Sequence, residues 1–409
     1  MLRLKSILRW ILWTLARWTI RKFKPGVIGV TGSVGKTSTK EAVFAVLRQI
    51  RKIRAAKGSF NNEFGLPLTV LGEWEKVTGV FFWCRVIFSS IWRLIFGSSY
   101  PELLILEYGA DRPGDLKYLI EIAKPQIGVV TAIGDIPVHV EFYSGPEAVA
   151  REKSRLVEVL SVQGFAILNF DDEVVSGMKE KTRAHIITYG FGDGAEVKIS
   201  NFEHRSEGGK PTGLSFKLEY GGSFVPIRLD GAFGKAQVYA AAAAAAVGIA
   251  FGMNLVKISE ALAFYQVPPR RGRIIPGVKE TFIVDDSYNA SPLSMHAALD
   301  TVKKIKAKRK IGILGDMLEI GKYAIEAHEE IGRLAGKTFN ILVTIGPRAR
   351  FIGDTANRTG MSRKNIFNFD TAEEARLEVQ NLIKKGDLVL IKASRAMELD
   401  KVVDEIKQM

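Results

Sequence analysis

The sequence predicts an α/β protein with doubly wound, mostly parallel sheets, and three observations carry that expectation. Short apolar runs alternate with helical patterns along most of the 409 residues. The first well-formed run opens directly into a glycine-rich turn and a helix. A second series of strands then follows a Pro- and Arg-rich break near residue 268. The 47 % hydrophobic content is ample for two or three buried cores.

Residues 2–23 read as a basic amphipathic helix. Leu4, Ile7, Leu8, Ile11, Leu15 and Trp18 fall on one helical stripe, with Lys5, Arg9, Arg17, Arg21 and Lys24 mostly across from it. Residues 1–58 hold 14 Lys or Arg against the single acid Glu41, so nearly all of the net charge of +14 belongs to this end. A charge block fused to an apolar stripe points to an anionic membrane surface and away from nucleic acid. Arg9 and Arg17 bracket a short uncharged run, where a spanning helix needs roughly 20 apolar residues. An in-plane interfacial helix is expected, with a helix packed on the protein's own core as the alternative. The single cysteine, Cys84, excludes an internal disulfide and any cysteine-rich metal site, which suits a reducing cytoplasm.

The apolar strand 27–30 runs into Gly29-Val30-Thr31-Gly32-Ser33-Val34-Gly35-Lys36-Thr37-Ser38, and a helical pattern covers 39–47. That order is what a phosphate-binding loop requires. Gly32, Ser33 and Gly35 let backbone N–H groups close on phosphate oxygens, Lys36 reaches the β- and γ-phosphates, and the Thr37 and Ser38 hydroxyls approach the nucleotide and Mg²⁺. ATP is the expected ligand. The strict Walker spacing would need glycine where Val30 stands.

An aromatic insertion at about 78–99 is interrupted by Arg85 and Arg93 and is expected to share a membrane-facing or mutually packed patch with the first helix. Strand 103–106 ends in Glu107-Tyr108-Gly109-Ala110, where open α/β sheets place their ligands. Strand 127–131 leads to Pro137-Val138-His139-Val140-Glu141, and a helix from Pro146 carries Lys153. Residues 185–230 alternate as short strands, a β-rich layer attached to the same domain, and 240–246 form a tightly packed alanine helix. The linker Pro268-Pro269-Arg270-Arg271-Gly272-Arg273 precedes strands at 282–284, 311–314, 341–345 and 388–391, a Rossmann-like pattern. The expected division is 1–24, the basic helix; 25–268, a central ATP-binding domain; and 269–409, a C-terminal α/β domain.

From Val27 onward the chain resembles the Mur ligases, which join an amine to a carboxylate with hydrolysis of ATP. The loop at 31–38 carries the resemblance together with Asn61-Asn62-Glu63-Phe64-Gly65, Glu107-Tyr108-Gly109-Ala110, Asp285-Asp286-Ser287-Tyr288-Asn289-Ala290, Gly315-Asp316-Met317-Leu318-Glu319 and Lys392-Ala393-Ser394-Arg395-Ala396-Met397. The resemblance implies that Lys36, Glu107, His139 and Lys153 carry catalysis, with Thr37, Glu107, His139 and a CO₂-carbamylated Lys153 holding Mg²⁺. It implies that Gln237 meets the nucleotide base, that Arg273 and Asp286 meet ATP phosphate and ribose, and that Asn289, Lys392, Ser394 and Arg395 face the substrates.

The implied activity is addition of D-alanyl-D-alanine or an amino acid to a peptidoglycan-precursor carboxylate by a cytoplasmic monomer. An attachment to the inner membrane face would suit the basic start. Two departures matter: Arg155 stands where the family usually has glutamate, and about 25 residues precede the loop where the family's ligases normally carry a domain for the UDP-sugar. Relatives acting on other acceptors, of the folate-polyglutamate or cyanophycin type, and a degenerate membrane-bound scaffold are the alternative expectations.

Overall fold

A computed structural model of the protein describes residues 2–74, 77, 79–208 and 210–408. Met1, and the start of the expected aromatic segment at Thr78, lie outside the described residues.

The first sheet has nine strands: β1 (Gly26–Thr31), β2 (Ile53–Ala55), β3 (Leu103–Glu107), β4 (Ile127–Val130), β5 (Phe165–Asn169), β6 (His185–Gly190), β7 (Val197–Glu207), β8 (Lys210–Tyr220) and β9 (Ser223–Asp230). Their spatial order is β2-β3-β1-β4-β5-β6-β7-β8-β9. Pairings from β2 to β7 are parallel, and β7-β8-β9 form an antiparallel meander continuing the same sheet. The strands at the centre are buried on both faces, which is why β1, β3 and β4 read as unbroken apolar runs rather than alternating ones. The meander alternates clearly, since one of its faces meets water.

One face of this sheet is covered by α2 (Lys36–Leu47) and the helix Lys235–Ala250. Ala240 to Ala246 are fully buried, and their small side chains let the two helices approach closely along their length. The other face carries α1 (Leu2–Phe23), α3 (Gly65–Leu71), α4 (Gly79–Phe96), α5 (Asp115–Ile122) and α6 (Pro146–Glu158).

The helix at the start is present, but its apolar stripe is divided. Leu12, Leu15 and Ala16 pack inward, Leu8 and Ile11 are half-buried, and Leu4, Ile7 and Trp18 face outward. The helix is apolar around more than one face because it serves both a core and an outer surface.

The second sheet has six strands: β10 (Arg273–Gly277), β11 (Thr281–Asp285), β12 (Lys310–Gly315), β13 (Ile341–Ile345), β14 (Ile366–Phe369) and β15 (Leu388–Lys392), in the order β10-β11-β15-β12-β13-β14. All pairings but β10–β11 are parallel, and helices cover both faces. The carboxyl ends of β11, β12 and β15 open toward the first sheet, where the loop after β12 meets the loop after β4.

That β12 loop is pinned from behind by His328, which is fully buried in the helix Ala324–Thr338. Its Nε2 accepts from Met317 N at 2.9 Å, while Nδ1 lies 2.6 Å from Ala324 O. Burial pushes its pKa down to about 4. The unfolded chain therefore takes up a proton that the native state refuses between the usual 6.5 and about 4. Stability is expected to fall as pH drops through that window, by up to about 1.4 kcal/mol per pH unit from this group. Denaturant unfolding across the window should show a shallower acid slope for His328→Gln than for the native chain; equal slopes would contradict the assignment.

Candidate active site between the two sheets

After β1 the chain turns through Gly32 and Gly35, at φ 140° and 91°. A Cβ on Gly32 would sit 2.0 Å from Thr131 Oγ1, so only glycine fits there. Gly35 caps α2, whose first N–H groups face the loop as a ready anion site. Ser33 N and Val34 N both donate to Ala132 O, at 2.7 and 3.0 Å, tying the loop to the segment after β4. Lys36 Nζ lies 2.7 Å from Gly32 O, and burial holds its pKa below the ordinary lysine value. Ser33 Oγ is buried without a hydrogen-bond partner.

Thr37, in the first turn of α2, meets Glu107 at the end of β3. Thr37 Oγ1 donates to Glu107 Oε2 at 3.0 Å, Asn61 Nδ2 donates to Glu107 Oε1 at 3.3 Å, and Ser59 Oγ lies 2.9 Å from Thr37 Oγ1. A hydroxyl and a carboxylate beside a phosphate loop are hard oxygen donors of the kind that Mg²⁺ takes, with phosphate and water completing an octahedron. Among the described residues no cluster of three His, Cys, Asp or Glu could hold a metal alone. The donor set thus fits a metal that arrives with a nucleotide.

A second group gathers around His139. The residue adopts φ 70°, and Glu319, facing it from the second sheet, adopts φ 61°. Left-handed backbone at two non-glycine residues in contact is strain that the surrounding fold must hold in place. His139 Nε2 lies 3.2 Å from Asp111 Oδ1, and Nδ1 lies 2.7 Å from Glu319 Oε2 without hydrogen-bond alignment.

Burial pushes the imidazole down to about 4, Lys36 and Lys153 adding to the effect against Asp111. A neutral imidazole brings one N–H to two carboxylates, so one nitrogen lone pair is left facing negative charge. A divalent cation would relieve that conflict.

Lys153 is buried on α6, and among the described residues no carboxylate lies within ion-pair distance of its amine. Burial and the nearby Lys36 push it down to about 7, so a large share is neutral amine, the form that reacts with CO₂. Its helix is clamped by Glu152, whose Oε1 accepts from Gly114 N and Leu116 N at the start of α5, both at 3.0 Å. Arg155 turns away to pair with Glu152 at 2.9 Å, leaving the cleft free of its charge.

The second sheet contributes Asp286, Asn289, Lys392, Ser394 and Arg395 to the same cleft, whose volume is about 1420 Å³. Lys392 Nζ bridges Asp286 Oδ2 at 2.6 Å and Asn289 O at 3.0 Å. Ser394 Oγ accepts from Leu318 N at 2.8 Å. The space exceeds the roughly 300–1,000 Å³ of a single drug-sized site, as two large substrates require.

One expected residue stands outside the cleft, and a second lines it with its side chain already engaged. Arg273 is exposed on β10 and does not line the cleft; Arg271 does, reaching Ser59 Oγ at 2.9 Å and stacking 3.8 Å above the Tyr288 ring. Gly272, at φ 68°, breaks the extended backbone between the two arginines just before β10 begins, so they do not share a face. Gln237 is buried with its amide committed: Nε2 donates to Arg271 O and to Ser38 Oγ at 3.4 Å, and Oε1 accepts from Tyr265 at 2.6 Å. It braces α2 against the linker, with both ends of the amide already hydrogen-bonded. Asp111, Arg271, Tyr288 and Glu319 were not singled out by the sequence, although Asp111 adjoins Gly109-Ala110 and Glu319 ends the motif that begins at Gly315.

Comparison with known proteins agrees with this geometry. Residues 95–248 match the Mur ligase middle domain, and 270–395 match the Mur ligase glutamate ligase domain. The chain is 32 % identical to a UDP-N-acetylmuramoyl-tripeptide–D-alanyl-D-alanine ligase of Mycobacterium leprae, covering 92 % of this chain and 72 % of that one. It is 29 % identical to the Bacillus subtilis protein of the same name, covering 96 % and 78 %. The crystal structure of MurF from Thermotoga maritima with ADP superposes with a TM-score of 0.78 at 26 % identity, covering 96 % of this chain and 82 % of that one. A folylpolyglutamate synthase of Mycobacterium tuberculosis shares the fold at a TM-score of 0.67 and 14 % identity, covering 98 % and 97 %.

The loop geometry makes one prediction directly. Gly32→Ala would bring a Cβ onto Thr131 Oγ1 in a backbone region alanine avoids. Titration with a fluorescent ATP analogue should show at least about tenfold weaker binding; unchanged affinity would mean that the loop does not hold phosphate.

Proposed function

The chain belongs to the Mur ligase family, and from that premise we propose that it is an ATP-dependent ligase joining D-alanyl-D-alanine to the terminal carboxylate of UDP-N-acetylmuramoyl-tripeptide. The observation that carries this reading is convergence. Lys36, the Thr37–Glu107 pair, the His139–Glu319 contact and buried Lys153 come from five separate segments into one cleft, in a chain 29–32 % identical to ligases of that name over more than nine-tenths of its length. Such a reaction belongs in the cytoplasm, where ATP is supplied.

In the first step a carboxylate oxygen of the acceptor attacks the γ-phosphorus, the β–γ bridging bond breaks, and an acyl phosphate and ADP result. In the second, the amine of the dipeptide attacks the acyl carbon, phosphate leaves, and the amine loses a proton. Both anions are crowded together before the first step, so positive charge must be fixed there in advance. Lys36 supplies it over the phosphates; Thr37 and Glu107 would hold Mg²⁺, which when bound would neutralise charge on the phosphates.

We assign His139 and a carbamylated Lys153 to a second Mg²⁺ beside the acceptor. The carbamate would turn an isolated buried cation into an oxygen ligand, which removes the cost of burying an unpaired ammonium. Arg271, stacked on Tyr288 and touching Ser59, is assigned to the nucleotide phosphates in place of Arg273. Lys392 and Arg395 face the incoming dipeptide.

Lys36→Ala is expected to lower substrate-dependent ADP release by at least about 100-fold, and normal turnover in that variant would exclude the site. Lys153→Ala should be nearly inactive and partly restored by formate or acetate, which can occupy the vacated ligand position. Full activity without rescue agents would exclude the carbamate. The discriminating assay is ADP release with D-alanyl-D-alanine and the UDP-muramoyl-tripeptide; release with a folate or with other peptide acceptors alone would move the chain to another branch of the family.

A further inference from the structure

The outer layer of α1 and α4 takes no part in the chemistry above, and its surface is unlike the rest of the molecule. Among the described residues, 11 of the 21 exposed large apolar side chains lie on these two helices of 22 and 18 residues. On α4, Phe81, Phe88, Trp92 and Ile95 follow helical spacing on one face, with Phe81 91 % exposed. The opposite face is thinly anchored, with only Val86 and Ser90 buried. On α1, Leu4, Ile7, Trp10 and Trp18 project outward, while Leu12, Leu15 and Ala16 pack inward. Both helices rest against α3 and against each other in one layer.

The chemistry of this face is specific. The two helices together hold eight Lys or Arg and no Asp or Glu. Arg21 and Arg85 are exposed beside the apolar rows, while Lys5 and Arg9 are exposed across α1 from its outward row. All six tryptophans of the chain, at 10, 13, 18, 74, 83 and 92, fall in this layer or the segment leading into it. Tryptophan and arginine around an apolar band are what the boundary between lipid headgroups and acyl chains selects, because the ring is amphipathic and the cation stays with anionic headgroups.

A second copy of the chain would set eight cations against eight with no acid between them, so the charge favours an anionic lipid surface. We propose that the free faces of α1 and α4 together form a docking surface for an anionic bilayer, with both helices lying in the plane of the interface.

The alternative of a spanning α4 is opposed by how it is held. The helix is long and apolar enough to cross by length and composition, with a mean hydropathy of 1.5. However, Arg93 Nη1 donates to Leu71 O, Lys22 Nζ donates to Leu94 O at 2.8 Å, and Phe82 packs edge-on to Trp74 at 5.4 Å. Both ends of α4 are therefore fastened to the same domain, and a helix crossing the bilayer would have to release them.

The test uses the full chain and needs no substrate, so its failure would leave the ligase assignment standing. Flotation with vesicles of phosphatidylglycerol and phosphatidylcholine should recover at least about tenfold more protein than pure phosphatidylcholine, and added salt should reduce it. Brominated lipids should quench the tryptophan emission, and alkaline carbonate should release the protein. The pair Phe88→Glu and Trp92→Glu, at exposed positions outside the cleft, should keep its melting temperature and ADP release while losing flotation.

Four results would overturn the proposal: equal recovery on both vesicle types, flotation unaffected by the double variant, resistance to carbonate, or a lipid-free dimer in sedimentation velocity that the double variant dissolves. The last would assign the face to a second copy.

Discussion

The parallel register that sets Val30 beside Glu107 is the constraint on which the rest of the site depends. With β3 paired there, a carboxylate arrives next to the first turn of α2, and Thr37 can share an oxygen position with it. A slip of one residue would turn Glu107 to the other face of the sheet and leave the phosphate loop without its acid. Close packing on both faces of β3 forbids that slip, because it would exchange Leu103 and Ile105, packed in the layer of α2, with Leu104 and Leu106, packed in the opposite layer.

The two halves of the cleft are held in mutual position by a smaller number of polar contacts. Glu141 N donates to Glu319 O, Arg271 reaches Ser59, and His139 meets Glu319 side chain to side chain. These are short-range groups on loops, carried by rigid sheets. The arrangement resists small errors of placement within each half while concentrating strain at His139 and Glu319, where the backbone is left-handed.

Much of this was legible in the sequence wherever local chemistry dictates structure. The loop from Gly29 to Ser38 announces itself because its glycines, lysine and hydroxyls have one economical joint use, and Glu107 is recognisable as a strand-end acid. The doubly wound pattern follows from apolar runs that leave no room for solvent faces. What could not be read is which way a side chain turns once two segments meet. Arg271 and Arg273 sit in the same linker with the same chemistry, and only the start of β10 decides that the first enters the cleft. Gln237 has the right type for a base contact, but Tyr265, distant in sequence, occupies its carbonyl. The stripe on α1 was visible, yet its division between core and surface is set by α3 and α4 and leaves no mark in spacing alone.

The four outer strands of the two sheets share a property that bears on how the chain survives its own folding. Parallel sheets assemble slowly from distant segments, and their unpaired margins would template pairing between neighbouring unfolded molecules. Here β2 has three residues and β14 four, too short to template a partner, while the longer margins β9 and β10 carry Pro226 and Pro276, which withhold a donor from any incoming strand. The sequence thus discourages sheet-to-sheet aggregation at every margin, and it does so with residues that neither the cleft nor the layer of α1 and α4 requires.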